Sequence, residues 1–124
     1  MPLLQNWNVL CWNIRGLNSP DKQLALSNAI NVSGCAVICL QESKMPCFDD
    51  SSLKALCPKR FDKFSYIPSC GASGVIITIW NSHLFAGRVF LSEQFALGVE
   101  FTSTQSGHRW KLVNVYGPCR GEQR

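Results

Sequence analysis

The sequence predicts an α/β (α+β) chain, with most of its strands in one mixed sheet and few helices. Three observations carry that expectation. Cys35-Ala36-Val37-Ile38-Cys39-Leu40 is an unbroken run of apolar and sulfur-bearing residues, closed at once by Gln41 and Glu42. A short run of that kind suits a strand buried on both faces of a sheet. A strand-like segment, a helical segment and this run follow one another with short connections, as in a βαβ unit. The second half of the chain is rich in β-branched and aromatic residues and has little helical periodicity.

Trp7-Asn8-Val9-Leu10-Cys11-Trp12 reads as the first strand, ending in the Gly-containing segment Asn13-Ile14-Arg15-Gly16-Leu17-Asn18. Ser19-Pro20-Asp21 is a helix start, with proline near the first helical position and an acid in the first turn. The helix runs to about Val32, with Leu26, Ala29, Ile30 and Ser33 on one face and Gly34 as its C-terminal cap. The strand at 35–40 follows directly.

After Glu42 the pattern weakens. Pro46 and Asp49-Asp50-Ser51-Ser52 are loop and cap signals, and residues 53–57 make one or two helical turns stopped by Pro58. Residues 64–67 form a short strand before Pro68, and residues 69–74 a small-residue turn. Val75-Ile76-Ile77-Thr78-Ile79-Trp80 is strongly β-prone, and 87–92 and 95–102 are two further strands. Ser103-Thr104-Gln105-Ser106-Gly107 reads as a hairpin loop, after which 109–116 returns as a strand. Leu97, Val99 and Phe101 alternate with smaller or polar residues, as Trp110 and Leu112 do on the returning strand. The sum is about six strands, besides the short one at 64–67, in a single domain without internal repeat or linker.

The bulk numbers fit such a domain. The chain has 124 residues, 46% apolar and 16% charged, with a formal net charge of +4. That balance permits a polyanionic partner without requiring one. No apolar run is long enough to cross a bilayer, and the N-terminus has neither the basic nor the apolar region of a secretory signal. The expectation is an intracellular protein, nuclear or cytoplasmic, with no membrane partner. Seven cysteines without C-x-x-C spacing then read as reduced thiols, mostly small core residues. His83 and His108 are not spaced as a ligand pair, which argues against a zinc cluster.

Polar groups stand at three strand ends. The first strand brings Asn13, the second Glu42, and the last Asn114 and Tyr116. Open α/β sheets keep their ligands at the C-terminal ends of strands. If the three strands are neighbours in one sheet, the four side chains gather at one edge. A carboxylate there binds a hard cation such as Mg²⁺ (or Mn²⁺) through oxygen. An amide orients it, and a phenol donates to a phosphoryl oxygen. Each group also has a plainer reading: Glu42 as the start of a solvated loop, Asn13 as a turn residue bonded to nearby backbone, Tyr116 and Trp12 as core or rim aromatics. Arg15 and Lys44 lie beside these positions as candidate phosphate contacts. These two, with Lys59, Arg60, Lys63, Arg88, Arg109 and Lys111, are scattered rather than clustered, the usual pattern of a solvated face, and of them Lys59-Arg60 with Lys63 suit contact with a phosphate backbone.

At these residues the chain resembles a known family. Val9-Leu10-Cys11-Trp12-Asn13-Ile14-Arg15-Gly16-Leu17-Asn18 resembles the opening motif of the endonuclease/exonuclease/phosphatase family and, within it, the endonuclease domain of plant non-LTR (LINE-type) retrotransposons. Leu40-Gln41-Glu42-Ser43-Lys44 resembles the second motif, whose Glu binds metal. Gly71-Ala72-Ser73-Gly74-Val75 with Trp80 resembles the Gly-rich turn into the next strand. Val113-Asn114-Val115-Tyr116-Gly117-Pro118 resembles the motif whose Tyr contacts the scissile phosphate. The resemblance implies a four-layer αββα sandwich and Mg²⁺-assisted hydrolysis of a phosphodiester by water. Carried over, Glu42 is the metal ligand, Asn13 supports it and Tyr116 contacts phosphate; Asn114 is given no catalytic role.

The family's Gly-Asp-Phe-Asn and Ser-Asp-His segments do not occur in the 124 residues. Those segments supply the Asp that positions water and the catalytic His, and neither His83 nor His108 falls where it substitutes. The expectation is a truncated domain over 1–124 that lacks the C-terminal half of the fold, is of retrotransposon origin, and is inactive alone as a nuclease. Two alternatives are a non-catalytic nucleic-acid or protein binding module on the same fold, and a phosphatase-type family member. If this half builds mainly one sheet, its inner face is left open and needs another chain to cover it.

Overall fold

A computed structural model describes residues 7–45, 47–68 and 76–116. The Gly-rich turn at 71–75 and Gly117-Pro118 lie outside the described residues, as do Cys70 and Cys119. The elements run β1 (Val9–Asn13), α1 (Pro20–Ser33), β2 (Val37–Gln41), α2 (Asp50–Leu56), β3 (Lys63–Ile67), β4 (Ile76–Trp80), β5 (Phe85–Glu93), β6 (Ala96–Ser103) and β7 (Arg109–Val115).

Helix α1 begins where its caps dictate. The Ser19 hydroxyl accepts from the Lys22 N–H at 3.2 Å, and Pro20 occupies the first turn, where no N–H is needed. Gly34 ends it in the left-handed conformation (φ 61°), its N–H bonded to Ile30 O. Leu26 and Ile30 are buried, while Ala29 and Ser33 are half-buried at the margin of the same face. Asp49 caps α2 through the Ser52 N–H at 2.9 Å, and Leu53 and Leu56 face inward.

The strands divide between two sheets. One is mixed, in the order β1-β2-β4-β3, and the other antiparallel, in the order β5-β6-β7. The fold class is the expected α/β sandwich, but the strands are shared four and three rather than gathered mostly in one sheet. Alternation along β5, β6 and β7 shows that one face is buried, and it is silent on which sheet covers it. Strands β1 and β2 are parallel neighbours with Val9 opposite Val37 and Asn13 opposite Gln41, so the first three elements do form a βαβ unit.

Two cores flank the mixed sheet. Leu26, Ile30, Leu53 and Leu56 of the helices pack with Ile38, Leu40, Ile77 and Ile79 on one side. On the other, Val37, Cys39, Ile76 and Trp80 meet Phe85, Leu97, Val99 and Phe101 of the second sheet. Period-2 alternation along β2 and β4 sends successive residues to these opposite cores, which explains their unbroken apolar runs. The inner face expected to lie open is therefore covered from within the chain: Val37 and Ile76 are 0% and 1% exposed. Exposed apolar side chains lie instead on the outer surface of α1, where Leu24 and Val32 are exposed, and on the far side of the second sheet, where Phe90, Val113 and Val115 are 41%, 44% and 57% exposed. Among the described residues, no helix packs there.

The start of β3 is tied to the β4–β5 turn by Asp62. Its carboxylate accepts from the Ser82 N–H at 2.8 Å and the Ser82 hydroxyl at 2.6 Å. Partial burial raises its pKa, but the bonds from Ser82 outweigh that and hold it below the ordinary carboxylate value. A depressed folded-state pKa stabilises the fold above the unfolded value of about 3.9, and that contribution is lost as pH falls through the folded value. Asp62→Asn should accordingly lower Tm at neutral pH, with the difference from the unsubstituted protein shrinking in acid. Thermal melts across pH test this, and a Tm difference independent of pH would contradict it.

Candidate functional site

The C-terminal edge of the β1–β2 pair continues as two loops zipped together. Ile14 N–H donates to Gln41 O, Gly16 N–H to Glu42 O at 2.6 Å and Leu17 N–H to Ser43 O at 2.8 Å. The Lys22 ammonium closes the first loop on Ile14 O at 2.6 Å, and the Gln23 amide on Leu17 O at 2.9 Å. Ile14, Leu17 and Ser43 are fully buried beneath this zipper.

Three non-glycine residues on these facing loops are left-handed: Arg15 (φ 56°), Glu42 (φ 56°) and Lys44 (φ 58°). Each such residue carries strain on the order of 1–3 kcal/mol, and strain of this kind persists only where surroundings enforce it. Here the interloop hydrogen bonds and the buried anchors enforce it. The result is a fixed direction for the Glu42 side chain.

Asn13 Nδ2 donates to Glu42 Oε2 at 2.8 Å, so the two residues read from separate motifs meet. Asn13 is exposed and Glu42 half-buried, which leaves the pair open to solvent. Arg15 and Lys44 are exposed on the same loops, and a Cβ placed on Gly16 would lie 3.8 Å from Lys44 Cδ, so the lysine stem passes over the glycine. The site therefore joins a carboxylate, an orienting amide and two cations at one strand edge.

Strand β7 is not a neighbour of β1 and β2 in one sheet, contrary to the condition set above for the four groups to gather. It reaches them across the sandwich. Asn114 is 2% exposed. Its Nδ2 donates to Ile77 O at 3.0 Å, Thr78 Oγ1 at 3.2 Å and Leu40 O at 3.4 Å. Its Oδ1 accepts from Gln41 Nε2 at 2.6 Å. Asn114 is thus a fully engaged bridge between the sheets, one residue of chain away from Glu42 through Gln41. Gln41 itself is a residue that sequence reasoning passed over, although its place beside Glu42 was the available signal.

Tyr116 lies just beyond β7, two residues past Asn114 and on the same inward face, half-buried against the intersheet core. Its N–H bonds to Phe95 O at 3.0 Å, and its ring stands edge-on to Phe95. The histidines lie elsewhere. Because Val37 pairs with Trp80, the turn carrying His83 is at the opposite edge of the mixed sheet from Glu42. His108 precedes β7, at the end opposite Asn114, and stacks on Trp7 at 5.1 Å. Lys63, paired with Trp80, shares that opposite edge. Arg88 is engaged by Glu100 at 2.8 Å on the outer face of the second sheet.

The donor set suits one kind of cation. Among the described residues, no group of three or more His, Cys, Asp or Glu side chains comes together, so a closed structural site of the zinc type is not formed. Mg²⁺ and Mn²⁺ differ in that need: Mg²⁺ keeps several waters and is commonly held by one or two carboxylates together with a substrate phosphate. Glu42, with one oxygen fixed by Asn13, fits that mode.

No family model matches the sequence, and no curated protein sequence matches it. Among solved structures, the AP endonuclease of Leishmania major is similar, with a TM-score of 0.64 at 19% sequence identity. The match covers 89% of this chain and 40% of that one. No helix among the described residues is long and apolar enough to cross a membrane. The chain thus shares the α/β sandwich fold of that endonuclease over most of its own length, and spans 40% of the length of that structure.

Proposed function

We propose that the Asn13–Glu42 edge is a divalent-cation and phosphate site of the endonuclease/exonuclease/phosphatase type, and that the chain is a DNA endonuclease-like phosphodiesterase domain of retrotransposon origin. The observation that supports this reading most is the Asn13–Glu42 hydrogen bond at 2.8 Å, which joins two separately recognised motifs at the strand edge where such folds bind ligands. Glu42 holds the cation, Asn13 keeps the carboxylate oriented and Tyr116 approaches the phosphate from the second sheet. Arg15 and Lys44 neutralise the DNA backbone beside it. When bound, Mg²⁺ supplies charge stabilisation at the phosphoryl oxygens and an activated water.

The WNIRG sequence around Asn13 favours the retrotransposon branch over the phosphatase branch. The 124 residues hold neither the Gly-Asp-Phe-Asn nor the Ser-Asp-His segment. The proton-transfer groups those segments bring contribute about 10²–10⁴-fold in rate. A plasmid-nicking assay with the purified 124-residue polypeptide and Mg²⁺ is therefore expected to show little or no cleavage, with the Glu42→Ala variant indistinguishable. Robust nicking that disappears in Glu42→Ala would show a complete catalytic site and overturn the inactivity of this polypeptide.

A further inference from the structure

We propose that Cys11 and Cys39 are a thiol-oxidation site, closing a reversible disulfide between β1 and β2. The two residues are register partners on adjacent parallel strands, so their side chains leave the same face of the sheet. Neighbouring strands lie about 4.8 Å apart, inside the Cα separation of about 4.4–6.8 Å that a disulfide requires. Cys11 is exposed on the edge strand β1, while Cys39, on the inner strand β2, is 1% exposed in the intersheet core.

Burial, reinforced by the neighbouring Cys11 thiol, raises the Cys39 pKa well above the ordinary thiol value, while a hydrogen bond with Thr78 partly opposes that. That shift slows attack by Cys39; exposure makes Cys11 the thiol an oxidant meets, and register pairing makes Cys39 the one placed to resolve the mixed disulfide. The other buried thiols are shielded in the helix-side core. Cys57 is pushed up to about 12 by burial and then by Cys35 beside it. Cys47 is exposed in the loop before α2, away from this strand pair.

With glutathione disulfide as oxidant, the chemistry closes in two exchanges. The Cys11 sulfur, giving up its proton, attacks one oxidant sulfur, whose S–S bond breaks and releases one glutathione thiol. The Cys39 sulfur then gives up its proton, attacks Cys11 Sγ in the mixed disulfide and expels the second glutathione. The two protein thiols lose two electrons, and the oxidant gains them with the two protons. The new bond clamps the open-edged strand β1 two residues before Asn13 and three before Glu42. It stands on the strand pairing alone and does not depend on how Glu42 is used.

The test is incubation of the folded 124-residue protein with glutathione disulfide, followed by non-reducing peptide mapping and amide hydrogen exchange. A Cys11–Cys39 cross-linked peptide is expected, retained in Cys47→Ser, lost in Cys11→Ser and reversed by reduced glutathione. Exchange at the β1 amides should slow in the oxidised form. A stable glutathione adduct at Cys11 with Cys39 still free would overturn the proposal, as would a link from Cys11 to another cysteine. β1 exchange unchanged by the cross-link would refute the clamp.

Discussion

Asn114→Ala should lower the melting temperature by on the order of 10 °C, the equivalent of about 3 kcal/mol in a domain of this size. Asn114 is 2% exposed. Its removal takes a hydrogen bond from the buried Thr78 hydroxyl, from the Ile77 carbonyl and from the half-buried Gln41 amide, in a core where lost polar partners are expensive. It also cuts the polar link between β7 and the edge that carries Glu42. Gln41→Ala should cost less, about 1 kcal/mol, because Gln41 is half-buried and water replaces part of its bonding. The two changes share a bond, so the double variant should fall short of their sum. Paired thermal and urea melts test this. An Asn114→Ala loss within about 0.5 kcal/mol, as for a surface substitution, would show that the bridge does not hold the sheets.

Phe101→Ala is expected to have the largest effect on stability. Phe101 is fully buried between the sheets, with ring centroids 4.8 Å from Trp110, 5.3 Å from Trp80 and 5.6 Å from Phe85. Truncating a core phenylalanine costs about 3–5 kcal/mol through lost burial and the cavity it leaves. The total stability of a domain is only about 5–15 kcal/mol. Urea unfolding should show the midpoint falling by a large fraction of its value. A small shift would mean that the second sheet does not cover the first, and would restore the open inner face that the chain's half-sandwich pattern suggested.

Much of this arrangement is legible in the residues. Ser19-Pro20 and Gly34 bound α1, the run at 35–40 marks a doubly buried strand, and Ser103 to Gly107 marks the last hairpin, because each signal is local. What the sequence does not show is non-local. Whether β5, β6 and β7 extend the first sheet or form their own depends on a turn after Trp80, and alternation is the same in both cases. Asn114 looks like a site residue in a motif and turns out to bridge the sheets, since a buried amide and a ligand amide are the same letter. The left-handed backbone at Arg15, Glu42 and Lys44 has no glycine or asparagine to announce it. It arises from the ladder that continues past the strand ends.

The Asn13–Glu42 edge is the centre of the functional reading, and a Mn²⁺ titration followed by amide line broadening probes it directly. Broadening should begin at Asn13, Gly16, Ser43 and Lys44 in the unsubstituted protein. It should vanish there in Glu42→Gln, which keeps the side-chain size and removes the charge. Broadening that starts elsewhere, or that persists at these amides in Glu42→Gln, would contradict a cation site at this edge.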